Sequence, residues 1–368
     1  MKLLSRLPHI KPETLLIGAG ILIALIICYG QLYDIPAVSL FPILAVSVLV
    51  LIYDYRVAYY LLMLSLPFSF NYALPGGVTV DFPSELLMLV LTGCFLISAP
   101  LNKPIDAEFL SHPICRILVL MLMWAMVCTL FSVEITKSVK YILAKIWYLV
   151  SFVLVTGALI KNLNDLKRIL WFFMAGLIVT VTVSIAKHAS FGFAFDMVNR
   201  SVIPFFYNHV IYAATVAMFI PFTFWLWLRA KGHTLQRVFL FGVLLLLLLA
   251  VALSYTRASW LSIPVAVLYL LVLRFHLTKL VLIAASAGVI CASVYMAHNN
   301  NYLQYAPDFE KTVYYGGNIE KHLEATYSFE DVSGMERVYR WVAAARMSYA
   351  NPVFGTGPNT FYPEYKRY

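Results

Sequence analysis

Charge is what this sequence has least of. Only 12% of its 368 residues are Asp, Glu, Lys or Arg, against 62% hydrophobic residues, and the mean hydropathy is +0.82. That balance excludes a soluble domain of this length, which would need a polar exterior. Cysteine is scarce as well: Cys28, Cys94, Cys115, Cys128 and Cys291 all fall inside apolar runs. No Cys-x-x-Cys pair or His/Cys cluster accompanies them, so nothing indicates a zinc site or a disulfide framework. Short alternating strands are also missing, which argues against a β-barrel. What is present is a series of apolar runs that approach or exceed the roughly 18 to 20 residues a spanning helix needs. The chain reads as all-α, a polytopic transmembrane helical bundle.

Hydropathy places about eleven spans, near Thr14–Leu32, Ala37–Ile52, Ala58–Asn71, Pro83–Ala99, Ile114–Phe131, Val139–Ile160, Ile169–Ala186, Val210–Leu228, Val238–Leu253, Ala258–Leu273 and Leu280–Met296. The first lacks a clear small-residue cleavage site and reads as a retained helix rather than a signal peptide. The expected organisation is a transmembrane domain over 1–297 and a polar external segment over 298–368. Net charge is +9, yet most basic residues flank hydrophobic segments, where topology and anionic lipid headgroups account for them. Membrane lipids are therefore expected partners and nucleic acid is not. Lys/Arg bias puts the N-terminus in the cytoplasm, with Lys161, Lys167, Arg168, Arg229, Lys231, Arg237, Arg274 and Lys279 among the inner cations.

A few cations break that bias and so carry information. Lys145 lies deep in the outer half of the sixth predicted helix, facing either a cavity or an anion, or snorkelling back to the headgroups. Arg200 precedes the eighth helix, with Asp196 near enough for a plain surface ion pair. Arg257 stands in a very short connection beside Ser254, Thr256 and Ser259. A guanidinium at a membrane boundary needs acceptors, which a phosphate supplies in bidentate fashion and an ordinary headgroup supplies too. In the external segment, Ser333 and Glu336 form a capping-box pattern, predicting a helix that runs to Asn351-Pro352. Arg337, Arg340, Trp341 and Ala344 share one face of it, and Gly355-Thr356-Gly357-Pro358 supplies a turn that can bring backbone N–H groups close to a ligand. An anion site and a solvated basic face fit those residues equally well.

The pattern Arg337-x-x-Arg340-Trp341-x-Ala343-Ala344, then Asn351-Pro352, Gly355-Thr356-Gly357-Pro358-Asn359 and Phe361, resembles the O-antigen ligase and O-antigen polymerase superfamily, closest to members from Bacteroidetes-type bacteria. Ser254-Tyr255-Thr256-Arg257 opening a helix resembles that family's short arginine motif, and Arg200 its arginine ahead of the preceding helix. The resemblance implies a glycosyltransferase that uses no metal or other cofactor at the periplasmic face of the bacterial inner membrane. Its donor would be a glycan on undecaprenyl diphosphate. The acceptor would be lipid A-core for a ligase, another lipid-linked glycan for a polymerase, or protein for further relatives. Arg200, Arg257, Arg337, Arg340 and Lys145 would then bind the diphosphate, with Trp341, Gly355 and Gly357 forming the loop motif.

The resemblance also implies a histidine general base, usually followed by Asn, beyond the Gly-x-Gly stretch. This sequence ends at Tyr368, so the expectation is a C-terminally truncated chain whose base lies past that residue. Two other classes compete: a transporter or flippase, which predicts broken helices and mid-membrane polar groups, and a non-catalytic scaffold for envelope assembly.

Overall fold

The computed structural model describes residues 54–73, 79–102, 105–298, 301 and 332–367, and 82% of them are helical. The first described helix, α1 (Tyr55–Ser65), starts at Asp54, whose carboxylate accepts from the Arg56 N–H at 3.0 Å. A 3₁₀ turn at Leu66–Phe68 ends it, with Pro67 in that turn. A two-stranded hairpin follows, β1 (Phe70–Ala73) antiparallel to β2 (Thr79–Phe82), with Phe70 opposite Phe82.

Here the third expected span is corrected. The 11 residues of α1 rise only about 16 Å, roughly half of a hydrocarbon layer. The apolar run Ala58–Asn71 is a short helix, a proline-containing turn and the start of a strand. Hydropathy alone cannot separate these from one continuous helix. The two spans expected before residue 54, and the Tyr- and Asn-rich stretch from 302 to 331, lie outside the described residues.

Next come α2 (Ser84–Asn102) and the short α3 (Ala107–Ser111). Among the described residues, seven helical segments are then long and apolar enough to cross a membrane. They are α4 (Pro113–Leu130); α5 (Ile135–Leu149), continuing through a π-helical turn at Val150–Leu154 into α6 (Val155–Leu159); and α7 (Leu163–Ser190). After the short α8 (Val198–Val202) follow α9 (His209–Arg229), α10 (Thr234–Leu253), α11 (Arg257–Arg274) and α12 (Thr278–Ala297). The last described elements are α13 (Val332–Ala350) and α14 (Phe361–Glu364).

Two apolar clusters hold the bundle together. One gathers Tyr59 and Leu62 of α1, Leu91 and Phe95 of α2, Val155 of α6 and Ile169 of α7. The other packs Met174, Leu177 and Val181 of α7 against Val216 of α9 and Leu240 and Leu247 of α10. Helix α7 belongs to both and is the spine of the fold. By contrast α11 and α12 are almost unburied, so nearly every face they carry is apolar and open.

Gly176 is where α7 meets α1. A Cβ there would stand 2.2 Å from the Leu64 carbonyl oxygen, a backbone atom that cannot rotate aside. Gly176→Ala is therefore expected to destabilise the bundle by about 1–3 kcal/mol through forced separation of the two helices. Thermal unfolding in detergent checks this against Gly288→Ala on α12, where the added methyl meets nothing within 4 Å. Equal midpoints for the two variants would remove the close-contact explanation.

Candidate functional site

The connections 131–134, 160–162, 230–233, 254–256 and 275–277 are all short, so the spans they join run antiparallel, and the Tyr255–Phe193 bond holds the longer connection 191–208 at the 254–256 end. Alternation then puts 131–134, 191–208, 254–256 and the stretch after α12 at one end of the bundle. Arg200, Arg257, Arg337 and Arg340, the arginines expected to bind the diphosphate, all lie at that end. The structure arranges them in two groups.

The first group is built on the connections 191–208 and 254–256. Arg200 sits in α8, which is anchored by Val198, Ser201 and Val202, each buried to within 4% exposure. Its neighbour Asn199 accepts from the backbone N–H of His209 at 3.1 Å and contacts its ring nitrogen Nδ1 at 2.7 Å, fastening α8 to the start of α9. Arg200 itself is exposed; its Nη1 lies 4.0 Å from the Met197 Sδ, and it makes no ion pair with Asp196. Arg257 opens α11 and is half-buried. The turn before it is closed on itself: Ser254 Oγ donates to the Val251 carbonyl at 2.7 Å, and Thr256 N–H donates to Ser254 Oγ at 3.3 Å. Trp260 Nε1 donates to the same Val251 carbonyl at 2.8 Å, pinning the first turn of α11 against the end of α10. These bonds explain the run of small hydroxyl residues around Arg257: the hydroxyls satisfy backbone groups that a tight connection leaves without helical partners.

The second group is α13 with the loop that follows. The helix stops at Ala350, before Asn351-Pro352, as the proline requires. Glu336 is ion-paired with Arg340 one turn on. Arg340 also lies 6.0 Å over the Tyr362 ring, joining α13 to α14. Arg337 and Trp341 are exposed, Trp341 by 70%.

The loop 355–359 carries three left-handed residues, Gly355 (φ 63°), Gly357 (φ 107°) and Asn359 (φ 61°), which is the backbone reason for a Gly-x-Gly-x-Asn spacing. Its close approach is to protein. A Cβ on Gly357 would fall 2.2 Å from Ser132 Oγ and 2.8 Å from Ser132 Cα. Val133 N–H donates to the Thr356 carbonyl at 3.1 Å, and Ser138 Oγ donates to the Pro358 carbonyl at 2.7 Å. Phe354 stacks on Phe131 at 4.1 Å and Trp124 at 6.0 Å. Residues 354–360 are thus a latch seated on the turn between α4 and α5.

Lys145 joins neither group. It is exposed on α5, with its ammonium 5.1 Å over Tyr141, one turn nearer the 131–134 end. That is the snorkelling geometry of a long cationic side chain at a membrane boundary.

Two features had escaped the sequence reading. Ser132 and Ser138 form the seat of the latch from more than two hundred residues away, and no local pattern announces such a pairing. Tyr255, at φ 52°, ties the two arginine-bearing connections to each other, and its only sequence signal is a bulky ring in a very short turn.

With this geometry in place, comparison with known families separates the readings. A family model described as O-antigen ligase matches residues 241–368. The last third of the chain carries an O-antigen ligase domain. That domain takes in the latter part of α10, the Arg257 turn, α11, α12, α13 and the latch, so Arg257, Arg337, Arg340, Trp341, Gly355 and Gly357 fall inside it and Lys145 and Arg200 do not. No curated protein and no solved structure matches the chain.

Proposed function

We propose that the protein is a membrane glycosyltransferase that moves a glycan from undecaprenyl diphosphate onto a sugar hydroxyl of lipid A-core, at the periplasmic face of the inner membrane. The observation that carries this reading is the Arg257 turn: it lies within the O-antigen ligase domain, at the same bundle end as Arg200, α13 and the latch. Lys161, Lys167, Arg168, Arg229, Lys231 and Arg274 crowd the opposite end, and this bias supports a periplasmic location for the arginine end.

The donor is already activated, so the chain needs no nucleotide-binding fold. The acceptor oxygen attacks the anomeric carbon while the bond from that carbon to the diphosphate oxygen breaks. The electron pair leaves on the diphosphate, and the acceptor's proton passes to a general base. Charge grows on the leaving group, and guanidinium groups fixed at the headgroup level stabilise it in bidentate fashion. Arg257 and Arg200 are the leading candidates for that role, with Arg337 and Arg340 of α13 as further candidates. Lys145 contributes least, since it faces the surroundings of α5.

The test is reconstitution. Proteoliposomes containing the protein as its whole gene encodes it, given a glycan on undecaprenyl diphosphate, are expected to extend purified lipid A-core, read by mass. Transfer only to a second lipid-linked glycan would indicate a polymerase. Absence of transfer to any acceptor, with the donor intact, would overturn the reading.

A further inference from the structure

Arg200 and Arg257 belong to different connections, yet one side chain joins the segments that carry them. The Tyr255 hydroxyl donates to the Phe193 carbonyl at 2.9 Å, across 62 residues of sequence. Its ring meets the Phe195 ring edge-on at 5.5 Å and the His188 ring at 6.0 Å. His188 is only 3% exposed, closes on Phe193 at 5.3 Å and has Nε2 3.1 Å from the Ala194 carbonyl. The segment that receives Tyr255 is itself shaped for it: Gly192 and Phe193 are both left-handed, and the Phe193 N–H donates to the His188 carbonyl at 3.0 Å. Lys187 adds a bond to the Ile203 carbonyl beyond α8.

The backbone of Tyr255 makes the arrangement more telling. At φ 52° it occupies a region that L residues other than Gly, Asn and Asp rarely visit, and β-carbon crowding there is a continuing cost. Such a conformation persists where surrounding contacts over-determine it, and it clusters at functional sites. A glycine at 255 would make the same turn without strain. What a glycine could not do is reach Phe193.

We infer that Tyr255 is the positioning residue of the arginine end: it locks the 254–256 turn onto the 191–197 segment, so that Arg257 and Arg200 are presented to one diphosphate as a single preformed unit. His188 is the buried wall against which it is set. The inference rests on the proposed donor site. Without the Tyr255 tie the two guanidinium groups keep their charge but their two segments must be brought into register by the ligand, so binding weakens while the bundle, whose apolar clusters do not include Tyr255, stays folded.

Undecaprenyl diphosphate itself is the probe, titrated against the full chain in nanodiscs, with the thermal midpoint followed in parallel. Tyr255→Asn keeps a residue that tolerates the left-handed backbone but loses both the rings and the reach. It is expected to bind about tenfold more weakly at an unchanged midpoint. Tyr255→Phe loses only the hydroxyl and is expected to recover most of that affinity, leaving a deficit of about threefold. Arg257→Ala distinguishes the two levels: wild-type affinity in that variant defeats the donor-site reading itself. Weak binding in Arg257→Ala together with wild-type affinity in both Tyr255 variants overturns the positioning role alone. Should Tyr255→Asn lower the midpoint, Tyr255→Phe decides, since it leaves the ring contacts in place; wild-type affinity there is the overturning result.

Discussion

Arg257→Ala is expected to lower glycan transfer by about a hundredfold or more while protein level and membrane insertion stay normal. Removing one preorganised donor from a developing negative charge typically costs 10² to 10³ in rate, and this guanidinium is held on a turn whose backbone groups are satisfied by Ser254, Thr256 and Trp260. The fold should survive, because Arg257 begins a helix that buries almost nothing. Arg257→Lys is expected to fall between the two, since an ammonium keeps the charge and loses the planar fork that fits a phosphate. Transfer within a few-fold of wild type in the alanine variant, measured in the reconstituted system, would take Arg257 out of the chemistry.

Gly357→Ala should open the latch. The new methyl would overlap Ser132 at both side chain and Cα, and the residue would be forced to keep φ near 107°. Together the two effects cost on the order of 2–4 kcal/mol, comparable to everything the two bonds from Val133 and Ser138 contribute. Gly355 provides the contrast. It too is left-handed, but the nearest atom to an added Cβ is 4.0 Å away, so Gly355→Asn, which tolerates that backbone, is expected to be nearly silent. Hydrogen exchange at the Val133 amide reports the latch directly: fast in Gly357→Ala and slow in Gly355→Asn. If both variants exchange like wild type, close packing on Ser132 does not hold the loop.

Much of the frame was legible because bilayer thickness imposes length on apolar runs. The spans from Ile114 onward are where hydropathy put them, to within about four residues, except that α7 begins six residues before the expected Ile169. The same signal misread α1, since an apolar run says how much surface avoids water and not how far the helix continues; Pro67 decides that. It was also blind to the π turn at Val150–Leu154, which inserts an offset between the faces of α5 and α6 without changing the composition of the run. The arginines could be assigned to one end simply by counting crossings.

The glycine motif shows the boundary of such reading. Gly355-Thr356-Gly357 announced a turn able to bring backbone close to a ligand; the turn is there, with positive φ at both glycines, but glycine cannot say what approaches, and the close partner is Ser132 in a distant turn. Tyr255 was harder still. Its importance lies in a left-handed backbone and in a carbonyl 62 residues away, neither of which has a one-dimensional trace.

The length of α7 fixes a depth. Its 28 residues extend about 42 Å, roughly the whole bilayer with both polar layers included. Polar groups mark its two tips: Asn162 and Asp165 in a capping box at one, Lys187 and His188 at the other. The helix thus acts as a ruler laid across the membrane. Whatever is bolted to its far tip, the Tyr255 tie and both arginine turns included, stands at the altitude of the lipid phosphates, which under the proposed reaction lets a polyprenyl chain stay dissolved in oil while its diphosphate is handed over at the waterline.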